Sequence, residues 1–561
     1  MVDSPGNALK AIRGTSLCPK IAKGAAMRCR EKTLYANADV VCMDADNSRA
    51  SAVLVCGDRI EAVGREEELR PLAGPRAERV DLKGACLYPG FIDSHSHLSL
   101  YAAWKPYAYC GGARSLAEAL EILAGHAAGR PGDAFVVGYG FDDTAVSEKR
   151  GPLRQELDAL WPDRPAALVH VSVHAAYINS RMFEILGIPT DRPSANIHIV
   201  CRDGRPTGLI TEETVWKLFS ALPAVSLERL KAGLQLAVAD YNAQGFTATI
   251  GGGAGFGGLQ PFMVARALAG LEREGKLNLH VHMPVIGTHY DMFEATGMLD
   301  GPGSPMLRPH GVKFFADGSI QAYTAALPEG YHDRPDLKPD ILGSYRELEA
   351  NVLAAHAGGQ QVVAHGNGNG AIEAVIRAVE NAQVRSPRAD PRHLLIHCQT
   401  ASDDQLRRMK AVGLWPSFFG LHIWNWGDRH HDIFLGPQRA ARLNPCQSAV
   451  RLGLPFSLHA DTPVLPQMTM LSIHTAVNRL TRGGRVLGED QRISALDAMR
   501  AYTTHAAAMC FEENNRGSIE PGKVADFTVL SEDPCSTPPE AISRISIEAV
   551  LSAGRPVWGR W

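Results

Sequence analysis

Short apolar, β-branched runs recur along most of this chain, and the spacing between them changes twice. Between residues 33 and 86 they are closely set and punctuated by turns: residues 38–42, then 52–56, a Gly57-Asp58 turn and 60–63. That is a hairpin pattern. Comparable runs return at the far end, at residues 527–530, 549–551 and 554–558. Both ends of the chain are therefore expected to be β-rich. From 87 to 514 the runs instead alternate with stretches of helical period, such as residues 348–357 and 372–382, the βα rhythm of a parallel sheet or barrel. Eight strands are expected there, at 87–93, 247–250, 279–285, 311–316, 361–364, 394–397, 415–419 and 456–458. About 150 residues separate the first two, far more than the short connections of compact domains. An inserted subdomain over about residues 104–240 is expected to fill that gap and to sit over one mouth of the barrel, with β runs of its own at 134–137 and 167–171.

Composition narrows the function. The chain has 57 Lys plus Arg against 60 Asp plus Glu, a net charge of −3, which excludes a protein whose main task is gripping nucleic acid or an anionic membrane through a positive field. Hydrophobic residues at 45% and charged residues at 21% describe a globular chain with a large core. Eleven cysteines, without a CxxC pair or regular spacing, fit reduced thiols in a cytoplasm better than a disulfide framework. Residues 1–32 are broken by Pro5, Gly6, Gly14 and Pro19, so they are expected to be a mobile tail rather than a secretory leader. The sequence has no apolar run long enough for a membrane span.

Residues of metal-binding type gather at the carboxyl ends of the expected strands, where a barrel places its active site. In LYPGFIDSHSH, alternation puts His95 and His97 on one face with Ser96 pointing away. His365 in VVAHG, His397 in LLIHC and Asp461 in FSLHADTP each close a strand. Imidazoles and a carboxylate are the ligands that zinc or a similar divalent ion takes. Lys313, in GVKFFADG, is unusual, because a charged lysine among apolar strand residues is costly without a partner. Two outcomes stand open: a salt bridge, with Asp317 as partner, or a neutral amine carbamylated by carbon dioxide, whose carboxylate bridges two metal ions.

PGFIDSHSH, the VKFFADGS strand, VVAHGNGNGAIE, the IHC strand, LHADTPV and GSIEPGKVADFTVL resemble, in this order, the metal-dependent amidohydrolase superfamily, in particular its large-insert branch that includes N-substituted formamide deformylases. The resemblance implies an α/β fold: a (β/α)8 TIM barrel over residues 87–514 with a small β-sandwich composed from residues 33–86 and 515–561. It implies His95, His97, His365, His397 and Asp461 as ligands of one or two divalent ions, most simply zinc, with Lys313 N6-carboxylated and Asp461 also the general base. The implied activity is hydrolysis of a C–N bond, amide or formamide, in a small organic substrate. A cytoplasmic homodimer without nucleic-acid or membrane partners is the accompanying expectation. The rival activity is a mononuclear metal deaminase of a heterocycle. A non-catalytic ligand-binding relative is the third reading, and it is disfavoured because none of the six candidate ligands is missing. One departure stands out: the branch's acidic and basic pair after the fifth strand is replaced by Asn369 and Gly370.

Beyond the metal set, His174 and Asn179 in HAAYIN are expected to line the substrate pocket, as are His422 and Trp424 after the seventh strand. A second HxH, His280 and His282, falls early in its strand, where ligand roles are not expected. The glycine-rich stretch 251–258 lacks the Gly-Lys-Ser/Thr of a phosphate loop, so it is read as a mobile loop over the site.

Overall fold

The computed structural model describes residues 32–192, 194, 196–295 and 303–561. Residues 1–31 of the expected tail lie outside the described residues, and Lys32 already opens a strand. Eight parallel strands form the central sheet: β1 (Phe91–Ser96), β2 (Phe246–Gly251), β3 (His280–Ile286), β4 (Leu307–Phe315), β5 (Val362–Gly366), β6 (His393–His397), β7 (Leu414–Phe419) and β8 (Ser457–His459). Each pairs with its neighbours in sequence order, and nearly every residue in them is buried, as befits parallel strands covered on both faces. The ends of the sheet meet at a seam of polar contacts. Ser94 Oγ donates to Leu458 O at 3.3 Å, His97 N donates to Thr462 O at 2.7 Å and Thr462 N donates to Ser96 Oγ at 3.0 Å. The sheet is thus a nearly closed barrel of the TIM type.

All eight expected strands are present, but the first is two. The run 87–93 breaks at Gly90, where a Cβ would lie 2.3 Å from Thr247 Oγ1. Before the break, Cys86–Pro89 belongs to a different sheet; after it, β1 enters the barrel. That other sheet is built from both chain ends. Cys86–Pro89 pairs with Lys32–Val41 on one side and, antiparallel, with Phe527–Leu530 on the other. Arg49–Cys56 and Arg59–Gly64 continue it in one direction, Ile547–Ser552 and Arg555–Gly559 in the other. Alternation divides its faces: Tyr35, Val53, Leu87, Phe527 and Leu551 share one core, while Leu34, Ala36 and Leu54 pack with Leu69 of the helix Glu66–Ala73 in another.

Between β1 and β2 lies a six-stranded sheet running from Ala108–Tyr109 to Arg205–Thr211. It ends well short of residue 240. The helix Leu227–Ala243 belongs with the barrel, lying so close to the helix Leu98–Trp104 that a Cβ on Gly233 would meet Ala102 O at 2.2 Å. The expected helices at 348–357 and 372–382 are the cores of Tyr345–Ala357 and Asn369–Arg385. The first begins earlier because Ser344 and Glu347 form a reciprocal capping box that satisfies two otherwise orphaned amides. Among the described residues, no helix is long and apolar enough to cross a membrane.

Candidate metal centre

At the carboxyl end of the barrel, side chains from β1, β4, β5, β6 and the turn after β8 converge. His95 Nε2 and His97 Nε2 each lie 3.4 Å from Asp461 Oδ1, and His397 Nε2 lies 3.9 Å from Asp461 Oδ2. His365 Nδ1 is 3.1 Å from His397 Nε2, and Lys313 Nζ is 3.4 Å from His95 Nε2. All six residues called from sequence are thus brought together, and all are buried. Two imidazole nitrogens each 3.4 Å from one carboxylate oxygen, all three within 4.8 Å of one another, suit an ion: tetrahedral bonds of about 2.0–2.1 Å hold their ligand atoms about 3.4 Å apart. Among the described residues Asp461 Oδ1 has no hydrogen-bond partner, so a buried carboxylate oxygen faces two imidazole nitrogens with no hydrogen bond to hold it there. This donor set fits a divalent metal.

Burial sets the protonation. It pushes the pKa of His95, His97, His365 and His397 well below the ordinary value, and repulsion from Lys313 and from neighbouring imidazoles, His174 and His459 among them, adds to it, so the rings are neutral as ligands must be. The same burial lowers Lys313, opposed by the Asp461 charge, and raises Asp461, opposed by Lys313. Asp317 is not the lysine's partner: its carboxylate accepts the backbone amides of Ala326, Asn367 and Gly368 at 2.8–2.9 Å. Of the two outcomes the sequence left open for Lys313, the salt bridge to Asp317 is absent among the described residues.

Neighbouring groups hold the centre in place. Asp93, pushed up to about 6 by burial, accepts from Gln467 Nε2 at 2.9 Å and Thr249 Oγ1 at 3.3 Å. A chain of contacts runs from His397 Nδ1 to His459 Nε2 (3.0 Å), from His459 Nδ1 to Ser417 Oγ (2.8 Å) and on to Ser94 Oγ (2.8 Å). Such contacts fix ring orientation and tautomer. Sequence reasoning passed over His459, although its i, i+2 relation to Asp461 repeats the alternation used for His95 and His97. The backbone is strained here as well. His397 (φ 72°), Asp461 (φ 57°), Val173 (φ 65°) and Glu212 (φ 44°) occupy the left-handed region, which for a β-branched residue such as Val173 is exceptional.

The glycine-rich stretch after β2 packs against the centre. A Cβ on Gly252 would meet His97 Nδ1 at 2.2 Å, and Phe256 is buried with its ring stacked 4.3 Å from that of His97. His280 and His282 lie away from the centre, with His280 Nδ1 2.9 Å from Pro305 O and His282 beside His310.

The four expected pocket residues divide. His174 and His422 border a small cavity of about 20 Å³ beside Asp461, together with Gln321, His365 and Asn367. Asn179 does not. It is buried in the insert, its Oδ1 accepting from Ala166 N and Met182 N and its Nδ2 donating to Trp161 O and Arg164 O, so every hydrogen-bonding role is filled. Trp424 is also misplaced. On the helix His422–Arg429, residues four apart share a face and residues two apart do not. Trp426 is therefore the ring beside His422, 4.7 Å between centroids, while Trp424 lies under the Arg482 guanidinium. Trp426 Nε1 donates to Asp142 Oδ2 at 2.9 Å, and Arg429 pairs with the same oxygen at 2.6 Å. Asp142, Asp143 and His170 are close enough to suggest a second metal group, but Arg429 already neutralises Asp142, so this is a clasp between insert and barrel.

Glu212 was not found from sequence. Its buried carboxylate holds His174 Nδ1 at 2.9 Å, directing the imidazole toward His365. Gly318 makes room for it, since a Cβ there would meet Glu212 Oε1 at 2.2 Å and Thr324 Oγ1 at 2.1 Å. Gly318→Ala is expected to destabilise the protein by about 1–3 kcal/mol through overpacking. A urea midpoint equal to wild type would show that the loop relaxes without cost.

A nearly closed parallel barrel with a histidine–aspartate centre fit for a divalent metal at its carboxyl mouth defines a barrel hydrolase of the metal-dependent class. Comparisons with known proteins agree. The model of the Amidohydrolase family matches residues 78–558, and the chain belongs to that family. Membership makes it a hydrolytic enzyme of carbon–nitrogen bonds other than peptide bonds. It is 32% identical to the N-substituted formamide deformylase of Arthrobacter pascens over 525 residues, covering 89% of this chain and 94% of that one. Two solved structures described as uncharacterized metal-dependent hydrolases share the fold. That from Pyrococcus horikoshii OT3 superposes with a TM-score of 0.73 at 24% identity, covering 91% of this chain and 99% of its own. That from Pyrococcus furiosus gives 0.70 at 24% identity, covering 90% and 100%.

Proposed function

We propose that the protein hydrolyses a small linear amide of the formamide type, with Asp461 as general base. The observation that carries this reading is the approach of His95 Nε2 and His97 Nε2 to the unpartnered Asp461 Oδ1, 3.4 Å each. The deformylase activity of the Arthrobacter relative supports the formamide class.

His95, His97, His365, His397 and Asp461 would hold the ion or ions, zinc being suited to this imidazole and carboxylate set. When bound, a divalent metal lowers the pKa of a coordinated water toward about 7 and polarises a substrate carbonyl. Asp461 would accept the proton of the attacking water and deliver it to the departing amine nitrogen as the C–N bond breaks. Phe256 and Gly252 lock His97, and the contact through His459 and Ser417 locks His397, so the donors keep their positions. Lys313, whose pKa burial pulls down toward neutrality, is an amine suited to add to carbon dioxide with loss of one proton, and the resulting carbamate would supply an oxygen donor beside His95.

The test is metal content by plasma mass spectrometry after expression with zinc and bicarbonate. We expect close to two ions per chain and turnover of simple formamides. A chain that retains no metal under these conditions would overturn the reading, and ammonia released from a heterocycle without formamide turnover would replace it with deamination.

A further inference from the structure

Two buried polar atoms bordering the cavity beside Asp461 lack a hydrogen-bond partner among the described residues. One is Asp461 Oδ1, which the hydrolytic reading already uses; the other is Gln321 Oε1. The surrounding polar groups are committed elsewhere. Ser172 Oγ lies 2.7 Å from His170 Nδ1, Asn367 Nδ2 donates to Gly318 O at 2.7 Å, Ser319 Oγ accepts from Ala322 N at 3.3 Å, and His174 and His422 contact Glu212 and His430. A buried acceptor left open at a reaction site calls for a donor from the ligand.

Gln321 is also held where it stands. It sits at the tip of the loop that follows β4, and both legs of that loop are tied. Gly318 N donates to Thr324 O at 3.1 Å, Ser319 N donates to Thr324 Oγ1 at 3.0 Å, and Asp317 accepts from Ala326 N at 2.9 Å. The side chain is only 6% exposed. The cavity is small, so a group reaching Gln321 lies within a few atoms of the bond being cut.

We propose that Gln321 accepts a hydrogen bond from the N–H of the substrate amide, and that the enzyme therefore selects N-monosubstituted amides over N,N-disubstituted ones. This rests on the hydrolytic reading above. An amide nitrogen without hydrogen leaves Gln321 Oε1 unpaired and sets an alkyl group against it; a site built to bind an N–H rejects such analogues strongly.

The test compares kcat/KM for N-butylformamide and N-butyl-N-methylformamide in the metal-loaded wild type, Gln321→Met and Gln321→Glu, with metal content and thermal unfolding recorded for each. Wild type is expected to prefer the secondary amide on the order of 100-fold, the cost of leaving one buried acceptor unpaired. Gln321→Met, which removes the acceptor at nearly constant volume, is expected to bring that ratio close to one by losing rate on the secondary amide. Gln321→Glu, which keeps an acceptor at the same reach, is expected to retain the preference. A wild-type ratio near one sinks the proposal whatever the variants do, as does an undiminished ratio in a folded Gln321→Met. If wild type with full metal content turns over neither amide, the hydrolytic reading itself falls, and this inference with it.

Discussion

Asp461→Asn is expected to cut turnover by about 10²–10⁴-fold, the usual contribution of a positioned general base, while leaving metal content close to that of wild type. Asparagine is the informative replacement for two reasons. Asp461 has φ 57°, a conformation that asparagine adopts more readily than most residues, so the backbone keeps its course. The carboxamide also retains an oxygen in the place of Oδ1, facing His95 and His97, but it cannot take up a proton near neutral pH. Steady-state kinetics beside metal analysis separates the two roles. Undiminished turnover would remove Asp461 from the mechanism, whereas loss of metal in parallel with activity would make it a ligand and nothing more.

Lys313→Met should act in opposite directions on activity and stability. The lysine is 1% exposed, and its amine contacts the Nε2 of a histidine rather than a carboxylate. In the metal-free protein, exchanging this desolvated amine for an apolar side chain of similar volume should raise the denaturation midpoint, because folding no longer opposes the lysine's charge. The sign follows from linkage: burial places the folded-state pKa below the unfolded one, so the unfolded chain binds more protons, and the penalty grows as pH falls from the ordinary lysine range toward neutrality. Activity and at least one bound ion should be lost together. A fully active Lys313→Met would reduce the lysine to a structural role, and an intact mass of wild type heavier by one carbon dioxide would identify the carbamate directly.

Strand-end chemistry was legible before the fold was known because a parallel strand couples two signals, an apolar run and a polar terminus, in adjacent residues. His95, His365, His397 and Asp461 could be read that way. The break at Gly90 could not, because 87–93 is one apolar run and its division depends on which partners lie alongside, Phe527–Leu530 for one half and β2 for the other. Trp424 falls away from the pocket, and the sequence does not show it, because phase along a helix cannot be read until its first residue is known, and His422 sets it. Asn179 follows His174 by five residues, yet a two-sided network of backbone groups holds it in the insert. Gln321 and Glu212 belong to loops and a helix start with no period to read; unpaired oxygens and a left-handed backbone mark them only in three dimensions.

The sheet shared by the two chain ends has a consequence for biosynthesis. Cys86–Pro89 must wait for Phe527–Leu530, about 440 residues later. At ordinary elongation rates of about 5–20 residues per second, that is roughly 20 to 90 seconds on the ribosome. Throughout that interval the early strands carry an open edge and uncovered Tyr35, Val53 and Leu87, a surface apt to pair with other nascent chains. Yield in a heterologous host should therefore depend on holdase chaperones and on temperature more than on the stability of the finished barrel. Even a short deletion at the carboxyl end that removes the strand Phe527–Leu530 would harm the amino-terminal half of the molecule first.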